Sequence, residues 1–288
     1  MPSFTILNER ALIAVGGEDA RSFLQGLVSN DVTKVGPNRA IYAAFLTAQG
    51  KFLFDFFVFE MDGTLFLDCE AARAGDFVRR LSMYKLRAKV EITERTDDFT
   101  IAAIFGDGAA QCLGLEDVAG NATSLNGGVA FVDPRLAEAG ARAVLPVGRD
   151  VAGCVAADVA AYDEMRLRLG LPDGSRDMIV EKTLLLEAGF AELNGIDWDK
   201  GCFLGQELTA RMKYRGLVKR RLVPVKVTGP LPAPGTPILR EGRDVGEMRS
   251  GMADLGMAVI RIDAMDGAAE CVAGDTVVVP IKPDWADF

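Results

Sequence analysis

Apolar residues change their spacing several times along the chain, and each change marks an element. Two short apolar runs between residues 3 and 15 are separated at Asn8-Glu9 and stopped by Gly16-Gly17, which predicts two strands. Asp19 then opens a segment carrying Phe23, Leu24, Leu27 and Val28 on one face, the period of an amphipathic helix, ending near Ser29-Asn30-Asp31. Residues 39–47 and 51–60 are strand-like and joined at Ala48-Gln49-Gly50. The second has aromatics at odd and even positions alike, so both its faces are predicted to be buried. Asp62-Gly63 is a hairpin turn signal, with a return strand over 65–69. Residues 71–87 place Phe77, Val78, Leu81 and Tyr84 on one helical face. Strands are predicted over 89–93, 100–105, 129–132 and 141–145, around a small-residue-rich stretch from 106 to 128. A helix over 156–170 ends at Gly170-Leu171-Pro172, a helix-stop pattern.

Past Pro224 the pattern shifts to short strands over 222–227, 236–239, 245–250, 256–262 and 276–279, punctuated by Pro230, Pro232, Pro234 and Pro237. Many short strands with Gly and Pro turns indicate a small β-barrel. Before it, strands and helices alternate without a repeating βαβ rhythm, which makes the class α+β. A chain of 288 residues is long for one core, so the expected division is an α+β body over 1–221 and a barrel over 222–288.

Composition mainly excludes. Hydrophobic residues at 49% and charged residues at 25% describe an ordinary water-soluble interior and surface. The net charge of −9 argues against direct nucleic-acid binding by the whole surface. No apolar run is long enough to span a bilayer. The first ten residues lack a basic region followed by an apolar one, so no secretory leader is expected. Histidine is absent, which removes Ser-His-Asp and Cys-His catalysis and every histidine-containing metal site. The cysteines are Cys69, Cys112, Cys154, Cys202 and Cys271; no pair makes a C-x-x-C, and their spacings fit no cluster-binding run. No metal or cluster held by this chain alone is therefore expected. Wide spacing and an odd number suit a reducing compartment, read here as cytoplasmic. Four of the cysteines read as small core residues and Cys202 as the exception.

Cys202 lies in Lys200-Gly201-Cys202-Phe203-Leu204-Gly205-Gln206-Glu207, where Gln-Glu opens a predicted helix. Helix N-termini offer free N–H groups and a partial positive charge. A thiol at such a start, with Lys200 beside it, is expected to have a pKa below the ~8.5 of a free cysteine. From Trp198 to Arg221 seven basic residues face two acids, a local +5 within an acidic chain. That concentration predicts an anionic ligand. The plainer reading is a glycine-rich turn with a buried cysteine, followed by a solvated basic helix.

The run KGCFLGQELTARMKYRG, residues 200–216, resembles the signature of the YgfZ-type folate-binding proteins that support iron–sulfur enzyme maturation. That family is similar in fold to the T-protein of the glycine cleavage system, an aminomethyltransferase using tetrahydrofolate. Two further stretches carry the resemblance more weakly: FLQGLVSNDV at 23–32 is similar to the T-protein early helix and its turn, and GEMRSG at 246–251 to its C-terminal barrel. The resemblance implies a body of two interleaved α+β subdomains around a central opening. It implies tetrahydrofolate or a one-carbon derivative as ligand, and iron–sulfur client or assembly proteins as transient partners. It also carries an association with tRNA modification. Cys202 would be the functional thiol and Lys200 its activator, with Glu207, Arg211, Tyr214 and Arg215 as binding neighbours. Trp198, just ahead of the motif, is either a stacking surface for a pteridine ring or an ordinary core tryptophan. The T-protein family carries an acidic pair near folate, one member of which assists transfer; here the pair reads Phe54-Asp55, which argues against aminomethyl transfer. Asp55 itself is either a folate-site carboxylate or one bonded to backbone or to a lysine. The two rival readings are a true aminomethyltransferase and a non-catalytic folate- or protein-binding module.

Overall fold

The computed structural model describes residues 1–267 and 270–288. It divides into two compact units: Met1–Leu46, Leu53–Tyr162 and Leu193–Leu204 form the first, and Thr47–Phe52, Asp163–Glu192 and Gly205–Phe288 the second.

The first unit is built on two sheets. One runs β11-β1-β7-β10-β9-β8, from β1 (Ser3–Ile6), β7 (Phe99–Phe105), β8 (Ala122–Leu125), β9 (Gly128–Val132), β10 (Ala141–Pro146) and β11 (Val155–Ala156). The other runs β3-β4-β5-β2-β6, from β2 (Arg10–Gly16), β3 (Ile41–Leu46), β4 (Phe52–Met61), β5 (Thr64–Glu70) and β6 (Glu91–Glu94). Helices α1 (Ala20–Gln25) and α2 (Ala74–Lys85) belong to the same unit. As its aromatics at alternate and intervening positions predict, β4 is buried on both faces from Phe52 to Phe59. On one side Phe54 and Phe56 meet Phe77 of α2; on the other Phe57 and Phe59 meet Phe131 of β9 and so join the two sheets. The β4–β5 turn is closed by Asp62 at φ 48° and Gly63 at φ 76°, the paired positive φ values that a tight two-residue hairpin needs. The edge strand β6 is largely exposed and carries Glu91 and Glu94, a charged edge that resists pairing with another chain.

The second unit contains α4 (Gly174–Asp177), α5 (Gln206–Arg215) and most of α3 (Val159–Leu169). Its barrel is closed by β12 (Arg220–Thr228), β13 (Pro237–Arg240), β14 (Arg243–Met252), β15 (Leu255–Arg261), β16 (Cys271–Ala273) and β17 (Thr276–Pro280), in the order β12-β15-β14-β13-β16-β17. Val223, Val225, Ile238, Met248, Ile260 and Val278 fill its interior. Past the end of α3, Gly170 takes φ 70°, and a Cβ there would meet Pro224 and Pro283 at 2.9 Å. The predicted stop signal thus does two things: it ends the helix, and it admits the two prolines. Buried Asp177 accepts from Arg166 at 2.7 Å and from the Ser250 hydroxyl at 2.5 Å, which fastens α3 and α4 to β14.

Candidate functional site

The lysine of the 200–216 motif is not aimed at its cysteine. Lys200 Nζ donates to three backbone carbonyls, those of Gln25 at 2.8 Å, Val28 at 2.6 Å and Asn30 at 2.9 Å. These are the last residue of α1 and the turn after it, so the ammonium sits where helix carbonyls have no partner within the helix. Burial pulls Lys200 down to about 8, against the opposing pull of Asp31 and Asp197.

The same turn is fastened to residues 194–200 at further points. The Ser29 hydroxyl donates to Gly195 O at 2.6 Å and accepts from the Ala44 N–H at 2.8 Å. Asn30 Nδ2 donates to Asn194 O and to Tyr42 O, both at 2.7 Å. Asp197 accepts from Lys34 and from the N–H groups of Asp199 and Lys200. Burial pushes the Asp197 carboxyl up, but these donors outweigh it and hold the group below the usual carboxylate range. Two stretches that look independent in the sequence, 23–32 and 194–200, are one hydrogen-bonded element.

Asp55 is buried on β4 and accepts from the Tyr42 hydroxyl at 2.9 Å. Burial, then the neighbouring Asp55 charge, pushes the Tyr42 hydroxyl well above its ordinary value, so it remains a donor. Lys200 and Asp55 are therefore connected stepwise, from Lys200 to the Asn30 carbonyl, from the Asn30 amide to the Tyr42 carbonyl, and from the Tyr42 hydroxyl to Asp55. Beyond Asp55 lies a buried charge cluster. Asp68, opposite Phe57 in the β4–β5 register, pairs with Arg10 at 2.6 Å and Arg142 at 2.8 Å, and Arg135 pairs with Asp133 at 2.8 Å. The guanidinium carbons of Arg10, Arg135 and Arg142 stand 5.9, 5.1 and 4.2 Å from the Phe57 ring centre. Burial alone would lower Arg10, but Asp68 and Asp55 hold it above its ordinary value.

Phe54 points away from this cluster. Its ring stacks on Phe77 at 4.4 Å with an interplanar angle of 13°, and the Arg73 guanidinium lies 4.2 Å from the ring centre.

Cys202 is exposed, and the helix begins only at Gln206, after Gly205 at φ 80°. The helix thus opens at the Gln-Glu pair as expected, and Cys202 lies four residues ahead of it rather than at its start. Trp198 is half-buried in the first unit, and Lys200 Nζ stands 5.2 Å from the Phe203 ring centre. In the second unit, α5 buries only Thr209 and Met212. Glu207, Arg211, Tyr214 and Arg215 are exposed, and their spacing puts them on one helical face, with Tyr214 77% exposed. The structure brings Lys200 and Asp55 into one network, leaves Cys202 in solvent, and keeps the four α5 residues together as a surface row. Ser29, Asn30, Tyr42 and Asn194 were not singled out in the sequence. Ser29 and Asn30 lie within the family-like stretch 23–32 and Asn194 shortly before the 200–216 motif, which was their one signal; Tyr42 had none.

Comparison with known proteins defines the class first. The GCVT N-terminal domain family matches residues 8–144, and the CAF17 C-terminal beta-barrel domain matches residues 219–288. Glycine cleavage system aminomethyltransferase T from Bartonella henselae superposes with a TM-score of 0.80, at 17% identity, over 99% of this chain and 86% of that one. The fold is that of the glycine cleavage T-protein with a closed six-stranded C-terminal barrel.

The mitochondrial iron-sulfur cluster assembly factor IBA57 of Homo sapiens is 32% identical over 311 residues, covering 97% of this chain and 84% of that protein. Its Mus musculus counterpart is 31% identical over 312 residues, with the same coverage. The chain belongs to the CAF17/IBA57 family of iron–sulfur cluster assembly factors. The YgfZ-type resemblance is thereby narrowed: these relatives are IBA57 proteins, related to YgfZ but distinct, and their names carry no tRNA modification. The expectation of a cytoplasmic protein is corrected, since these relatives are mitochondrial. Cysteine usage reports redox poise, and poise does not separate one reducing compartment from another. Among the described residues no helix is long and apolar enough to cross a membrane.

Proposed function

We propose that this protein supports iron–sulfur cluster assembly in client enzymes, with tetrahydrofolate or a one-carbon derivative as its ligand and Cys202 as its functional thiol. The observation that carries the reading is the contrast at residues 194–202. The segment up to Lys200 is fastened by side-chain hydrogen bonds to residues 25–34, and two residues later comes an exposed cysteine. A solvent-facing thiol on a fixed base suits exchange with a partner protein, since the thiolate is the soft ligand and the nucleophile among side chains. Lys200 contributes by holding that base. In the first unit, Trp198 is the proposed face for a pteridine ring and Asp55 a positioning residue acting through Tyr42. In the second, Arg211 and Arg215, with Tyr214 and Glu207 beside them, form the proposed anion-facing row.

Aminomethyl transfer is the weaker reading. Likeness to the aminomethyltransferase at 17% identity carries the fold alone. At the first position of the acidic pair stands Phe54, packed against Phe77.

The test is complementation of a gene deletion. The deletion is expected to lower iron–sulfur enzyme activities and leave glycine cleavage intact. The Cys202→Ser protein is expected to fold, to keep its folate affinity and to fail in restoring those enzymes. Full restoration by the serine variant would reduce the motif to architecture and leave a non-catalytic binding module as the better description.

A further inference from the structure

Two of the cysteines expected in the core are neither fully buried nor apart. Cys112 and Cys154 are half-exposed, 42 residues apart in sequence, and their sulfurs lie 3.1 Å from each other. A closure of about 1 Å brings two sulfurs at that distance to disulfide bond length. Cys112 sits on the short 3-10 turn Gln111–Leu113. Cys154 immediately precedes β11, the edge strand of its sheet. Both pack on the apolar cluster that includes Ala109, Ala110, Leu113 and Val151. The other three do not share this setting: Cys69 and Cys271 are buried and Cys202 is exposed.

We propose that Cys112 and Cys154 are a modification site, a dithiol that converts reversibly to an intramolecular disulfide by exchange with a low-molecular-weight disulfide of the glutathione type. In the first step the Cys154 sulfur, as thiolate, attacks one sulfur of the small disulfide, forming a mixed disulfide and releasing one small thiolate. In the second, the Cys112 sulfur attacks the Cys154 sulfur and releases the second small thiolate. The two protons lost from the cysteines are taken up by the two released thiolates. The protein loses two electrons, and the small disulfide gains them.

Burial, then the hydrogen bond and charge of Cys154, pushes the Cys112 thiol up to about 12. Two of those three causes are the neighbouring sulfur itself. Both disappear once Cys154 is held in the mixed disulfide, while burial, the largest, remains; the 3.1 Å separation of the sulfurs is what puts Cys112 within reach of the second step.

The consequence falls on the sheet edge. β11 is joined to β1 by only two register pairs, Ser3↔Val155 and Phe4↔Ala156. The flanking N–H groups of Val155 and Ala157 donate to Pro2 O and Phe4 O. A bond from Cys154 to the 111–113 turn anchors that short strand from its N-terminal side.

The full chain, purified reduced, is to be equilibrated over a series of reduced-to-oxidised glutathione ratios, trapped with N-ethylmaleimide and mapped by non-reducing peptide mass spectrometry. The expected product is a linked Cys112–Cys154 peptide that appears over one range of ratios and is reversed by excess reduced glutathione. It should persist in Cys202→Ser and be absent from Cys112→Ser and Cys154→Ser. Amide exchange of Val155 and Ala157 should slow severalfold in the oxidised form. Recovery of both cysteines only as thiols or as glutathione adducts of the wild-type chain, with no linked peptide at any ratio, overturns the proposal.

Discussion

Replacing Lys200 by Met separates two roles for the lysine. If it holds the loop, the variant loses three hydrogen bonds to the carbonyls of Gln25, Val28 and Asn30. At a net ~1–1.5 kcal/mol each, the gross loss is about 3–4.5 kcal/mol. An opposing term exists, because burial has drawn Lys200 down to about 8 and removing the charge recovers that cost. The side chain is only half-buried, so solvent screening leaves the recovery at about 1–2 kcal/mol. The difference, about 1–3 kcal/mol of lost stability, corresponds to a melting point lower by roughly 3–10 °C for a unit of this size. The pH dependence supplies a second readout. With its folded pKa lowered, Lys200 binds fewer protons folded than unfolded between about 8 and the ordinary lysine value. Wild-type stability should therefore gain a rising contribution with pH across that window, and Lys200→Met should lack it. Calorimetry from pH 7 to 10.5, paired with timed iodoacetamide labelling of Cys202, measures both. A variant that melts within a degree of wild type while Cys202 labels severalfold more slowly refutes the loop-holding role.

Two further outcomes are expected. Asp68→Asn removes the buried carboxylate shared by Arg10 and Arg142, and urea unfolding should report a loss of about 3–5 kcal/mol; an unchanged midpoint would show that Asp55 and Asp133 suffice to neutralise the cluster. Tetrahydrofolate should quench the emission of Trp198, read in a Trp285→Phe background because the chain has two tryptophans; no quench and no calorimetric heat would remove folate from the proposed function.

Much of the fold was legible because its signals are local. The aromatics of β4 at both parities, the Asp62-Gly63 turn and the Gly170 stop each act within a few residues and appear where the pattern puts them. What was not legible depends on residues far apart in sequence. Nothing in the spacing of Cys112 and Cys154 says that loop closure sets their sulfurs side by side. Nothing near Lys200 says that its ammonium goes to carbonyls some 170 residues earlier rather than to the thiol two residues later. The motif itself was conspicuous and its helix opens at the Gln-Glu pair, but the exposure of Cys202, four residues ahead of that start, is not something spacing shows.

The placement of Phe54 limits which residues that position can accept. Its ring is sandwiched between the stacked Phe77 and the Arg73 guanidinium, which also donates to Leu53 O at 2.6 Å. Placing an acid at that position would forfeit about 3–5 kcal/mol of aromatic packing before any charge was accommodated. A loss of that size consumes much of the ~5–15 kcal/mol margin of an ordinary domain. In this core an acidic pair at 54–55 is not reached by a single substitution without losing much of that margin, so packing at Phe54, and not only chemistry beside Asp55, sets what the position accepts.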